Sequence, residues 1–307
     1  MARHETPDVR DRIEYAALSA LLAAYRLPSR ERAMRWGRGF GRFAAKYVPL
    51  RREVALTNLR LAFPEKSEEE RRAVYRGMLE NLGLVLASFA RFEREPRDPI
   101  ADVMRLVHPE AFAEVHRAGR GAILLSAHFG DWEVLVSAVA AAGYPVTTLG
   151  GRQRNPLVED LFARYRTRMG VGAITVGKSL KPILVALRRG DFVATLADQD
   201  GGPGGFFIDF LGRPASVQPG LFRLAARTGV PLVTGFAVRE GDGWRGELQS
   251  PLLPAPATSP EAVEAEALRL ATHYTALVET YVRRYPDHWF WVHRRWRTRP
   301  PKEQGGA

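Results

Sequence analysis

The stretch from Gly121 to Ala142, Gly-Ala-Ile-Leu-Leu-Ser-Ala-His-Phe-Gly-Asp-Trp-Glu-Val-Leu-Val-Ser-Ala-Val-Ala-Ala-Ala, constrains the fold more than any other. An apolar run from Ala122 to Leu125 closes on Ser126-Ala127-His128. A glycine-containing turn follows, then Asp131, which suits a helix N-cap, then an apolar helical run from Trp132. The segment reads as a buried strand, a short loop and a helix start. It puts the titratable groups His128 and Glu133 just beyond the strand, where open α/β sheets bind ligands. On one continuous helix these two would lie about 140° apart and face different ways. Across a strand–turn–helix corner they are expected to hydrogen-bond. A carboxylate holding one imidazole nitrogen makes the other a better proton acceptor, as general-base chemistry requires.

The rest of the chain repeats this alternation. Residues 1–12 are polar and expected to fray, and Ile13 to Leu27 is a short alanine- and leucine-rich helix. Val54 to Phe63 ends at Pro64, and Ser67-Glu68-Glu69-Glu70 is a capping box opening a long helix. On that helix Val74, Met78, Leu79, Leu82, Val85, Leu86 and Phe89 make the buried face, with Arg71, Arg72 and Arg76 expected outside. Residues 93–100 are charged and proline-containing and mark a boundary. Beyond it, helices are expected at 109–118, 131–142, 156–169, 180–189, 219–227 and 259–284. Strands are expected at 121–127, 145–149, 173–176, 192–197, 230–238 and 244–250. The fold class is α/β, with a central, mostly parallel sheet flanked by helices and an N-terminal helical region. The divisions are a tail at 1–12, the helical region at 13–100, the α/β domain at 101–298 and a tail at 299–307.

With 307 residues the chain can bury a large core, and its formal net charge of +11 calls for an anionic partner. It has no cysteine, which removes disulfides and thiolate metal sites. No cleavable leader is expected at the N-terminus. The uncharged run Tyr15–Tyr25 is too short to span a bilayer, and Gly143-Tyr144-Pro145 interrupts the longer one. Between Arg26 and Arg52 stand nine Lys/Arg and a single acid, Glu31. Within this stretch Trp36, Phe40, Phe43 and Tyr47 form one helical stripe with Arg35, Arg42 and Lys46 along its flank. That pattern fits either an interfacial helix on an anionic bilayer or a helix packed on the core with a solvated basic edge.

Other candidate groups also follow strand ends. Arg152 and Arg154 could hold a phosphate or carboxylate. Asp198-Gln199-Asp200 precedes Gly201–Gly205, and the loop to Pro214 carries Phe206, Phe207 and Phe210, which suits a lid or a bilayer contact. It lacks the Gly-Lys-Ser/Thr of a phosphate-binding loop. Paired aspartates could take a divalent metal, but no further carboxylates or histidines stand at ligand spacing. The terminal run His288-Trp-Phe-Trp-Val-His-Arg-Arg-Trp-Arg297 could stack on nucleic acid, sit at a lipid interface or pack on the first helices. Nucleic acid is set aside as a partner, because the basic residues lie beside apolar aromatics and not within a nucleic-acid motif.

Four ordered blocks resemble a known family. His128 to Glu133 resembles the His-x4-Asp/Glu motif of the lysophospholipid acyltransferase superfamily. Ala55 to Ser67, Asp198-Gln199-Asp200 with Phe206 to Ala215, and Trp289 to Trp296 resemble blocks of its bacterial lipid A late acyltransferases, of lauroyl or myristoyl type, and of relatives acylating phosphatidylinositol mannosides. The resemblance covers most of residues 15–298 and implies a glycerolipid acyltransferase-like fold. It implies that His128 takes a proton from an acceptor hydroxyl while Glu133 orients it. The hydroxyl would then attack the thioester of acyl-carrier protein or acyl-CoA directly, without metal or other cofactor. Arg152 matches an arginine that would hold a substrate phosphate or sugar, and Asp198, Gln199 and Arg213 match the central block as further substrate contacts. The expected acceptor is a lipid A precursor, with a phosphatidylinositol mannoside, an ornithine lipid or a lysophospholipid as alternatives. The expected location is the cytoplasmic face of the inner membrane, attached peripherally or monotopically through residues 13–100. A binding protein without catalysis is the distant alternative.

Overall fold

The computed structural model describes residues 6–92, 100–175, 177 and 179–301. Four helices come first: α1 (Val9–Arg26), α2 (Arg30–Tyr47), α3 (Arg52–Ala62) and α4 (Glu68–Phe92). The first starts earlier than expected because Asp8 and Asp11 form a reciprocal capping box. The capping box at Ser67 forms as expected, Ser67 Oγ accepting from the Glu70 amide and Glu70 from the Ser67 amide. Arg71 is not exposed. It is buried and donates to the Phe63 and Pro64 carbonyls, closing the end of α3 against the start of α4. The boundary expected at 93–100 falls almost wholly outside the described residues.

The α/β part runs α5 (Ile100–Val103), β1 (Met104–Val107), α6 (Glu110–Arg117), β2 (Ala122–Ser126), α7 (Trp132–Ala141), β3 (Val146–Gly150) and α8 (Pro156–Arg168). It continues through β4 (Val171–Thr175), α9 (Lys181–Arg188), β5 (Phe192–Leu196), β6 (Phe206–Phe210), β7 (Arg213–Val217) and α10 (Gly220–Thr228). It ends with β8 (Leu232–Glu240), β9 (Gly243–Leu248), α11 (Pro260–Arg284) and a 3-10 turn at Pro286–His288. Seven strands form one sheet in the order β1-β9-β8-β2-β5-β3-β4, and only the β8–β9 pair is antiparallel. The sheet is therefore mostly parallel, with helices on its faces. All five residues of β2 are buried, as a central strand covered on both sides must be.

One expectation about loops is corrected. The segment after the glycines is not an irregular loop. Residues 206–217 form the hairpin β6–β7, with Phe210 1% exposed against Trp289 and Trp296. Of the three settings open to the terminal tryptophans, packing on the first helices is the one found. Trp289, Trp291 and Trp296 are buried, and Asn58 of α3 donates to the carbonyls of Trp291 and His293. The strand β1 was not anticipated, since its four residues are too few to show a period.

Candidate active site

Along β2 the side chains alternate. Ile123 and Leu125 enter one apolar cluster, Ala122 and Leu124 the other. Leu124, Ser126 and His128 therefore share a face, and all three line a cavity of about 790 Å³. The turn that carries the chain from His128 into α7 requires Gly130. Its φ is +57°, and a Cβ there would lie 1.9 Å from the Ala237 carbonyl oxygen. Asp131 then caps α7, accepting from the Val134 amide as expected.

The register of β2 on β5 pairs Ser126 with Leu196, and two further residues along each strand bring His128 beside Asp198. Asp198 Oδ1 lies 2.8 Å from His128 Nδ1, while Oδ2 accepts from the His128 amide (3.0 Å) and from Trp289 Nε1 (2.7 Å). Burial pushes this carboxyl up. The imidazole charge and the hydrogen bonds outweigh that, and its pKa lies below the usual aspartate value. Ionised Asp198 accepts only, so Nδ1 carries the proton and Nε2 is the bare nitrogen. Trp132 meets the ring edge-on at 5.2 Å, and Phe290 stacks beside it at 6.3 Å.

Glu133 does not take the expected place on His128. Its two oxygens are spanned by Arg166 of α8, at 2.5 and 3.2 Å. Burial works against the Arg166 charge, but Glu133 more than offsets it and the guanidinium pKa is raised. Both residues line the same cavity as His128. The reason for the difference is positional. The corner turns Glu133 towards α8, while the neighbouring strand end supplies a carboxylate already in register with the histidine.

Of the other expected contacts, Gln199 reaches the site, its side-chain nitrogen 3.3 Å from His128 Nε2. Arg152 lies exposed in the loop after β3, next to Gly151 and Gln153, which line the cavity. Arg154 pairs with Asp11 and Glu14 of α1. Arg213 sits on the hairpin and does not line the cavity. Asp200 is engaged by Arg297 and Thr298, and among the described residues no three His, Asp or Glu converge as a metal site. The unanticipated members are Arg166, Trp289 and Ser126, whose buried hydroxyl has no hydrogen-bond partner. The remaining cavity wall is greasy, with Leu82, Leu86 and Phe89 from α4, Leu18 from α1 and Phe162 from α8. A base in the wall of an apolar cavity can deprotonate a hydroxyl next to a bound hydrocarbon chain.

The family model of the bacterial lipid A biosynthesis acyltransferases matches residues 8–298. The chain belongs to this family. It is 31% identical over 268 residues to the lipid A biosynthesis lauroyltransferase of Escherichia coli (strain K12), covering 87% of this chain and 85% of that one. The lipid A biosynthesis myristoyltransferase of the same organism is 26% identical over 86% of this chain and 80% of its own. The phosphatidylinositol mannoside acyltransferase of Mycolicibacterium smegmatis is 28% identical over 69% and 70%. This family member is an acyltransferase.

Proposed function

We propose that this acyltransferase moves a fatty acyl chain from a thioester donor, acyl-carrier protein or acyl-CoA, to a hydroxyl of a lipid A precursor. The observation that carries the reading is the Asp198–His128 pair, with His128 lining the apolar cavity. His128 Nε2 takes the proton of the acceptor hydroxyl. The oxygen bonds to the thioester carbonyl carbon, the C–S bond breaks, and the thiolate leaves with the proton from the imidazolium. Asp198 fixes the tautomer and balances the imidazolium charge. Glu133 positions Arg166 on the cavity wall, and Arg152 at the rim is the proposed contact for an acceptor phosphate or sugar. The apolar wall from α1, α4 and α8 suits the acyl chain.

The helical region 13–100 is the proposed membrane contact, at the cytoplasmic face of the inner membrane. No helix among the described residues is long and apolar enough to cross a bilayer. On α2, Trp36, Phe43 and Tyr47 are 53, 55 and 60% exposed, with Arg32, Arg35 and Lys46 exposed along the adjoining flank. The outer stripe of α1, Val9, Ile13, Ala16, Ala20, Ala23 and Leu27, is exposed and wholly apolar. Monotopic attachment to an anionic surface fits both.

The test is lipid mass spectrometry of cells lacking the gene, complemented with wild type, His128→Ala or Asp198→Asn. In Asp198→Asn the amide oxygen would face the two N–H donors and the amide NH₂ would face Nδ1. That forces the proton onto Nε2 and removes the base. The expected result is loss of one acyl chain from lipid A, restored by wild type only. Purified Asp198→Asn should lose roughly 10²–10⁴-fold in kcat. Loss of the chain from another glycolipid would move the acceptor, and a folded His128→Ala protein with normal turnover would overturn the mechanism.

A further inference from the structure

Gln199 stands between two aspartates, and the loop that carries it is pinned on both sides. Asp198 is fixed to His128 and Trp289. The Asp200 side chain is fully buried and accepts from Arg297 Nη2 (3.0 Å), the Thr298 amide (3.2 Å) and Thr298 Oγ1 (2.9 Å), while its own amide donates to His293 Nε2 (3.1 Å). Beneath the loop the buried Arg295 donates to the carbonyls of Ser216 (2.5 Å) and Gln199 (3.5 Å). This scaffolding holds one half-buried side chain, whose only hydrogen-bond partner among the described residues is His128 Nε2. Because Asp198 keeps the proton on Nδ1, Nε2 accepts, and the Gln199 group facing it must be the NH₂ donor. A rigid donor aimed at the reacting nitrogen has no structural task that the Asp198 contacts do not already perform.

Resting on the acyl-transfer reading above, we propose that Gln199 is a catalytic residue, its side-chain amide donating to the thioester carbonyl oxygen as that oxygen becomes anionic. In the resting site the amide occupies the place where the acceptor hydroxyl must approach Nε2. The incoming hydroxyl takes over Nε2 and frees the amide. The carbonyl carbon then lies one bond from the attacking oxygen, so its oxyanion forms within reach of a donor that began 3.3 Å from Nε2. No proton is transferred by Gln199. The donor neutralises charge that is absent in the ground state, so it lowers the barrier without tightening substrate binding.

The experiment uses the purified full chain as wild type, Gln199→Ala, Gln199→Glu and His128→Ala, with acyl-CoA and a lipid A precursor in mixed micelles. Gln199→Ala is expected to lose about 10²–10³-fold in kcat with KM values within about threefold, and its melting temperature is expected to match wild type. The His128 limb of the kcat–pH profile stays in place, because in the ternary complex the amide no longer touches Nε2. Gln199→Glu falls at least as far, since a carboxylate opposes the oxyanion. A long-chain trifluoromethyl ketone, whose hydrate carries a tetrahedral carbon, loses affinity for Gln199→Ala in step with kcat/KM, while an S-alkyl-CoA thioether binds unchanged. Near-normal turnover of Gln199→Ala, or equal loss of both analogues, overturns the assignment. Near-normal turnover of His128→Ala overturns the general-base role of His128 beneath it, so the two failures are told apart.

Discussion

Asp131 shows how one side chain can set a pH dependence. It is fully buried at the start of α7. One carboxylate oxygen caps the helix, and the other has no hydrogen-bond partner. Burial, with the neighbouring Glu133 charge adding to it, raises its pKa to about 8. The unfolded chain binds this proton only below about 4. Its contribution to stability is therefore full below that value and is lost as pH rises towards 8. Asp131→Asn keeps the capping oxygen and removes the titration. Denaturant unfolding across this range should show a variant that gains on wild type by a few kcal/mol as pH rises; parallel curves would refute the assignment. Asp131 as a cap was legible in the sequence, and so was the place of His128 just beyond the strand, because both depend on local order along the chain. Asp198 was legible as a group at a strand end and, through the resemblance, as a substrate contact, but not as the partner of His128. Its partnership with His128 depends on which strand lies beside β2, and β5 follows it in space but is the third strand after it in sequence. Arg166 was invisible for the same reason, since α8 meets Glu133 only through tertiary packing.

At the scale of elements, the packing of α2 on α4 rests on three glycines. A Cβ on Gly83 would lie 2.0 Å from the Gly37 carbonyl oxygen, and one on Gly41 would lie 2.3 Å from that of Leu79. Alanine is the better helix former by about 1 kcal/mol, which would favour the substitution on an isolated helix. Here the obstacle is backbone, and separating two helices forfeits contacts along their whole length. Gly83→Ala should therefore destabilise the fold by about 2–4 kcal/mol, read as a lower denaturation midpoint, and a neutral or stabilising effect would contradict the close approach. The aromatic stripe of α2 was readable as a stripe, yet period alone could not say whether it faced the core. The small residues Ala33, Gly37, Gly41 and Ala45 hold the buried side and leave the aromatics outside. At the C-terminus the arginine-rich setting left three places open to the tryptophans, and they form a buried cluster. There Arg295 lies inside, beneath the Asp198 loop.

For the whole molecule, the proposed membrane contact through the outer faces of α1 and α2 is testable with vesicles. Replacing Trp36, Phe43 and Tyr47 by serine should weaken binding to anionic vesicles about 10- to 100-fold, with catalysis in detergent micelles retained. Part of the wild type should leave membranes in high salt or alkaline carbonate, and unchanged binding of the triple variant would remove α2 from the contact. The mostly parallel sheet was readable from the alternation of elements, whereas the strand order was not, because crossovers leave no mark in a linear sequence. That order also governs how the gene can change length. The histidine and its aspartate are fixed by counting from one ladder, so the connections beyond the Gly130 turn can grow or shrink without disturbing their distance. A single codon inserted within β2 or β5 would turn the residue beyond it to the opposite face. Lineages of this enzyme should accumulate their insertions between strands, with the two ladder segments constant in length.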